Sequence, residues 1–125
     1  MKKVDVNNIA DAISKELQQY SQTVTDGIKE EVKQVAKDCK DEIQRNSPVL
    51  TGSYKKGWRN ETAFENKTDI RVVIRNKTDY QLTHLLENGH AKVNGGRVPG
   101  KPHIRPAEQN AEKKLLQRVK VVVKG

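Results

Sequence analysis

From Ile9 onward the apolar residues recur at a helical interval. Ile9, Ile13, Leu17, Tyr20, Val24, Ile28, Val32, Val35, Cys39 and Ile43 step by three or four, with Lys, Glu, Gln and Asp on the remaining faces. This stripe predicts one amphipathic helix over Asn8–Asn46, after a flexible N-terminus of residues 1–7. Unbroken, the helix would be about 58 Å long at about 1.5 Å per residue, more than a small domain spans. One end should therefore project or bend, and Gly27, following Thr23-Val24-Thr25-Asp26, is where a kink is expected. The mean step exceeds the roughly 3.5 of a heptad seam, which disfavours a left-handed coiled coil. The stripe is expected to lie across a sheet, with its N-terminal part free for a neighbour.

Asn46-Ser47-Pro48 ends the helix, because the residue before proline leaves the α region. From Tyr54 the period becomes two: Tyr54, Trp58 and Phe64 share one face, with Lys55, Arg59 and Glu61 on the other, which reads as a half-buried strand. Asn66-Lys67-Thr68-Asp69 then recurs ten residues on as Asn76-Lys77-Thr78-Asp79. The β-branched run between them, with Ile70, Val72 and Ile74 on one side, is a strand bracketed by two similar turns. Asp79 is placed to cap a short helix over Tyr80–Asn88, with Leu82, Leu85 and Leu86 on its apolar face and Gly89 at the left-handed C′ position. His90–Lys101, rich in Gly and basic residues and free of acids, is a mobile loop or loose hairpin. Pro106 suits the first turn of a last helix whose stripe is Ile104, Ala107, Ala111, Leu115, Val119 and Val122. Val121-Val122-Val123 fits a terminal strand equally well, and propensity does not decide between them.

This order predicts an α+β fold. The long N-terminal amphipathic helix packs on a small, mainly antiparallel sheet of three or four strands, joined by a short helix and a C-terminal helix. A third strand is expected around Lys92–Val98. At 125 residues the chain is a single domain. With 34% apolar, 4% aromatic and 32% charged residues, its core is small and its polar surface large, which suits a protein that completes itself by assembly. The net charge of +8 is uneven: residues 1–46 carry −1 and the body, residues 47–125, carries +9. Such a body attracts phosphates, acidic protein faces and anionic membranes alike. No apolar run approaches a membrane span, and Met1-Lys2-Lys3-Val4-Asp5 does not begin a signal peptide. Cys39, the single cysteine, sits on the helix stripe as a buried, inert thiol.

The residues do not assemble into a catalytic pattern. His84, Glu87 and His90 are spaced three apart, but Gly89 ends the helix before His90, and zinc sites favour His-x-x-x-His with a further ligand. Glu87 is instead expected to hold a backbone or basic partner. Cys39 lacks the electropositive, half-open setting of a nucleophile, and Gly95-Gly96 has neither phosphate-loop spacing. The expectation is a non-enzyme with no cofactor and no metal. The candidate contact residues are basic: Lys92, Arg97, Lys101, Arg105, Lys113, Lys114 and Arg118, against only Glu108 and Glu112 over residues 92–125. A charge run is most often a solvated face. The sharper reading is contact with acidic protein surfaces or passing DNA.

Three ordered elements go further. Ser47-Pro48-Val49-Leu50-Thr51-Gly52-Ser53, then Leu85-Leu86-Glu87-Asn88-Gly89-His90, then Gly100-Lys101-Pro102-His103-Ile104-Arg105-Pro106-Ala107 resemble elements of the head–tail joining (tail-completion) proteins of long-tailed double-stranded DNA phages, the gene-product-ten-like minor tail family. Pro48, Thr51 and Gly52 match its Pro-x-x-Thr-Gly element, Glu87 and Gly89 its Glu-x-Gly, and Pro102 and Pro106 the prolines leading into its last helix. Ser53-Tyr54 departs from the family's usual Asn or Ser followed by Leu, which leaves the pairing of the first strand open.

The resemblance implies a structural virion protein at the head–tail interface, made and assembled in the host cytoplasm. Its partners would be the head-completion (stopper) protein and the tail-tube protein. It would be a homo-hexameric ring around the DNA channel when assembled and a monomer or weak oligomer when free. Contact with passing DNA would be weak and non-specific at most, and there would be none with membrane. The competing class, a general non-specific nucleic-acid-binding protein, has the charge in its favour but no recognition module.

Overall fold

The helical stripe folds as its period predicts, over a shorter span than the pattern suggests. The computed structural model describes residues 11–16, 20–49 and 52–124; the expected flexible tail of residues 1–7 lies outside them. The first described element is a strand, β1 (Asp11–Glu16), and the first helix, α1, runs from Gln22 to Asn46. Ser21 starts it: its backbone is extended (φ −63°, ψ 160°) and its Oγ accepts the Val24 N–H. The helix predicted from Asn8 is therefore corrected. Residues 11–16 pair antiparallel with β3 (Asp69–Asn76), from Asp11↔Ile74 to Glu16↔Asp69, so the backbone groups on the side facing β3 are paired. That tertiary pairing outweighs local preferences worth less than about 1 kcal/mol per residue. At 25 residues α1 is about 37 Å long and needs no overhang. It passes through Gly27, where the Val122 side chain of the last helix packs against it.

β2 (Trp58–Glu65) completes a three-stranded antiparallel sheet in the order β1-β3-β2. The third strand thus comes from residues 11–16. The stretch around Lys92–Val98 instead contributes to a separate hairpin of β4 (Gly89–Ala91) and β5 (Arg97–Pro99). Both Asn-Lys-Thr-Asp copies are side-chain-closed turns bracketing β3. Asn66 Oδ1 accepts the N–H groups of Thr68 and Asp69, and Asn76 Oδ1 those of Thr78 and Asp79.

Tyr54, Trp58 and Phe64 do not share a strand face. Tyr54 lies on a single helical turn, α2 (Ser53–Lys56), ahead of the strand. A register shift between Thr62 and Phe64 then turns Phe64 to the side of Arg71, away from Ile70 and Val72. The same bulge points Glu65 at α1, where it bridges Lys29 (3.6 Å) and Lys33 (3.2 Å).

α1 is the middle layer. Ile28, Val32, Val35, Cys39 and Ile43 are buried with Ile70, Val72 and Trp58 of the sheet, so the thiol is buried as expected. Along its other flank runs α4 (Arg105–Lys124), antiparallel and closely packed through Ala36, Ala107, Ala111 and Leu115. Polar clamps flank that contact: Asn110 to Glu42 (2.9 Å), Lys114 to Asp38 (3.6 Å) and Arg118 to Glu31 (3.2 Å). Between the sheet and the hairpin, a 3₁₀ turn (Tyr80–Leu82) leads into α3 (Thr83–Asn88). Asp79 does not cap it with its side chain; that carboxylate takes the hydroxyls of Ser53 and Thr78.

The last turns of α4 settle the choice between helix and strand for residues 119–123 in favour of helix. Val119 and Val122, three apart, pack on the core while Val121 and Val123 are exposed; a strand would place Val119, Val121 and Val123 together. Val122→Lys should accordingly lower the unfolding free energy by about 1–3 kcal/mol, and Val121→Lys should stay within about 0.5 kcal/mol of wild type. Urea midpoints at constant slope measure both, and equal effects at the two positions would contradict the helical ending.

Candidate functional site

Three family-like sequence elements converge on one buried polar cluster. At the end of α1, Ser47 is extended (φ −65°, ψ 142°) ahead of Pro48. Its hydroxyl donates to Ile43 O (2.6 Å) and accepts the Trp58 indole N–H (2.8 Å), so the end of α1 and the first residue of β2 are fixed together. Gly52 (φ 85°) makes the left-handed step into α2 that a side chain would oppose. Thr51 lies outside the described residues. α2 delivers the buried Tyr54 ring edge-on to Trp58 (centroids 5.6 Å apart) and to His103 (5.6 Å). Asn76 holds the Tyr54 carbonyl from below (2.7 Å).

His103 is held on both ring nitrogens. Nδ1 lies 2.7 Å from Lys101 O, which can only accept, so Nδ1 carries the proton. Nε2 then accepts the Tyr54 hydroxyl at 2.5 Å. Burial pushes the Tyr54 hydroxyl well above its ordinary range, with the Thr83 hydroxyl offsetting part of that.

Beside His103 sits Glu87, the last buried side chain of α3. Its Oε1 accepts the backbone N–H of His103 (2.7 Å) and Ile104 (3.0 Å), its Oε2 that of Arg105 (3.1 Å), and Oε1 lies 3.0 Å from His103 Nδ1. Burial alone would raise this carboxyl. The His103 side chain and the three N–H groups overrule it and hold Glu87 at about 2. A carboxylate from one helix therefore caps the N-terminus of another. Pro106, next in line, has no N–H to satisfy, which is why proline fits there.

Gly89 and Gly100 close the junction. Gly89 takes φ 82°, and a Cβ on Gly100 would sit 2.5 Å from Glu87 O and Gly89 N. Lys101 N–H bonds Leu86 O (2.8 Å). Two backbones thus touch where the β4–β5 hairpin leaves the body. Its tip, residues 92–96, is exposed and closed by Lys92 N–H to Gly96 O (3.0 Å).

The structure brings Glu87, Gly89 and the Pro102–Pro106 segment together, and among the described residues Tyr54 and Trp58 link them to the Pro48–Gly52 end. The basic candidates divide. Lys92, Arg97, Lys101, Arg105 and Lys113 are exposed, while Lys114 and Arg118 turn toward α1 and its carboxylates. His84 is exposed and Glu87 is spent on backbone, so the three-apart spacing does not form a cluster. Among the described residues no group of three or more His, Cys, Asp or Glu is placed to hold a metal ion, and no helix is long and apolar enough to cross a membrane. The sequence places His103, Tyr54 and Ser47 in separate elements and does not show that they meet. Their partners are distant in the chain, and the only local hint was a histidine enclosed by Pro102 and Pro106. With the His103 and Glu87 side chains 0% and 1% exposed, the cluster is closed off from solvent and ties α2, α3 and the start of α4 together.

A model of the HK97-gp10-like family, described as bacteriophage HK97-gp10, putative tail-component, matches residues 11–89. No curated protein and no solved structure matches the chain.

The Glu87 geometry sets the acid stability. A carboxyl lowered from about 4.5 unfolded to about 2 folded contributes about 3 kcal/mol above the unfolded value. That contribution is lost as pH falls from about 5 to about 2. Glu87→Gln should remove a similar amount at neutral pH and flatten the dependence over that window, as read by urea unfolding at a series of pH values. Wild-type and variant curves that fall in parallel below pH 5 would contradict this role. Gly100→Ala should also destabilise, by about 1–3 kcal/mol, since backbone must move to admit its Cβ.

Proposed function

The chain belongs to the HK97-gp10-like family of phage tail components, and from that premise we propose that it is the tail-completion subunit that joins head to tail. In this reading it is a structural, non-catalytic virion protein at the head–tail interface, made and assembled in the host cytoplasm. It contacts the head-completion (stopper) protein on one side and the tail-tube protein on the other. It forms a homo-hexameric ring around the DNA channel when assembled and is a monomer or weak oligomer when free.

The observation that carries the reading is the contrast between the hairpin's root and its tip. Gly89 and Gly100 bring backbone against backbone at the root, and Glu87 holds the segment that follows it. The tip bears the exposed Lys92, with Arg97 on β5 donating to Asn88 O, Lys101 and Arg105 beside the root and the exposed Lys113 on α4. A rigidly rooted, solvent-facing basic projection is a docking element for an acidic partner. Lys114 and Arg118 contribute less, because ion pairs with Asp38 and Glu31 already engage them.

Replacing residues 92–96 by Asn-Gly should preserve the fold, with unfolding free energy within about 0.5 kcal/mol, and yield particles whose heads and tails stay apart. Normal joining by that variant, seen by electron microscopy, would reduce the hairpin to a connector.

The high charge also suits the alternative, a general nucleic-acid-binding protein, and salt separates the two. DNA must slide past a joining ring, so duplex binding should be weak and non-specific, roughly 10⁻⁴–10⁻⁶ M at physiological salt. Changing Lys92, Lys101 and Lys113 to Glu should harm joining more than DNA binding. Nanomolar, sequence-dependent DNA binding abolished by those changes would favour the alternative.

A further inference from the structure

The sheet has two faces, and α1 covers only one. Register places Arg59, Glu61 and Phe64 of β2 with Arg71, Val73 and Arg75 of β3 on the other. Phe64 is 52% exposed there, and Val73 half-buried beside it gives the face an apolar centre. Around that centre stand three arginines. Arg59 and Arg75 are direct cross-strand partners, an arrangement of like charges that works against the sheet. Among the described side chains Glu61 is the one carboxylate ion-paired with them, through Arg75 at 3.1 Å. Asp69 alternates onto the same face without pairing with them, Arg59 donates to Lys56 O and Trp58 O, and the Arg75 Nε–H is left without an acceptor. The bulge at Thr62/Phe64 makes the arrangement specific, since without it Phe64 would face α1 and Glu65 would face outward.

We propose that this open sheet face is a second docking surface, and that its partner is an acidic protein surface with an apolar centre, contributed by another tail component. The inference rests on the tail reading for the source of the partner. A second copy of this chain is a poor occupant because its described carboxylates are largely spent. Glu31, Asp38, Asp41 and Glu65 are in ion pairs, and Glu87 is buried on backbone. Duplex DNA would engage the arginines but has no use for Phe64 and Val73, and a single strand would need more than one stacking ring. Arginine and aromatic side chains around a half-buried apolar residue are instead the composition of protein–protein contact centres.

The test compares wild-type protein, Phe64→Ser/Arg71→Glu and, as a milder variant, Arg71→Glu alone, each first checked for wild-type circular dichroism. The probe is purified tails from phage lacking this subunit, mixed with each protein and co-sedimented at low and high salt. Wild-type binding should weaken with salt, and the double variant should bind about tenfold or more weakly. Wild-type protein that leaves the tails unbound overturns the tail reading and this proposal with it. Wild-type protein that binds while both variants bind equally well overturns the proposal alone. So does a variant that keeps tail binding while losing affinity for a short random-sequence DNA duplex, which points to nucleic acid, or losing self-association in sedimentation, which points to a second copy.

Discussion

One carboxylate organises the second half of the molecule. Glu87 gathers the N–H groups of His103, Ile104 and Arg105, which would otherwise open α4 unsatisfied in a buried setting. The two buried donors, His103 and Ile104 N–H, left without acceptors would each cost on the order of 1–3 kcal/mol, and the part-buried Arg105 N–H less. The direction in which α4 departs, the seating of His103 against Tyr54, and the pinch between Gly89 and Gly100 all follow from where that carboxylate is held. Glu87 can hold this position because α3 ends one residue later and Gly89 turns the chain away.

The same economy governs charge. Carboxylates on α1 serve α4 or their own helix, and Glu65 is carried inward by the bulge to meet Lys29 and Lys33. The charge left without an opposite charge is mostly positive and falls on the hairpin, on the outer side of α4 and on the open sheet face. A basic sequence becomes a directional one because the acids are used internally. This is the physical ground for reading the chain as a subunit that meets acidic neighbours, consistent with its place among phage tail components.

Much of the architecture was legible in the pattern of apolar residues. Ile28, Val32, Val35, Cys39 and Ile43 line one buried face as their spacing requires, and Ile70, Val72 and Ile74 share the inward side of β3. The two Asn-Lys-Thr-Asp turns were legible because Asn closes such turns with its own side chain, a local interaction. Glu87 was legible only in part: its attachment to backbone was expected, but the backbone belongs to a segment sixteen or more residues away.

The sequence by itself determined the elements whose cause is local or periodic: the α1 stripe from Val24 to Ile43 though not where the helix begins, the strand between the turns, the hairpin's glycines and the final helix. Only the tertiary structure decided the rest. Asp11–Glu16 carries a helical stripe yet becomes a strand, because pairing along the edge of β3 is a long-range contact that outweighs a small local preference. Phe64 changes sides through a one-residue bulge that no period announces. Val122 at the end of α4 is held by Gly27 of α1, although its valines would suit a strand. In each case the local preference is small, and a contact between residues far apart in the chain is what tips it.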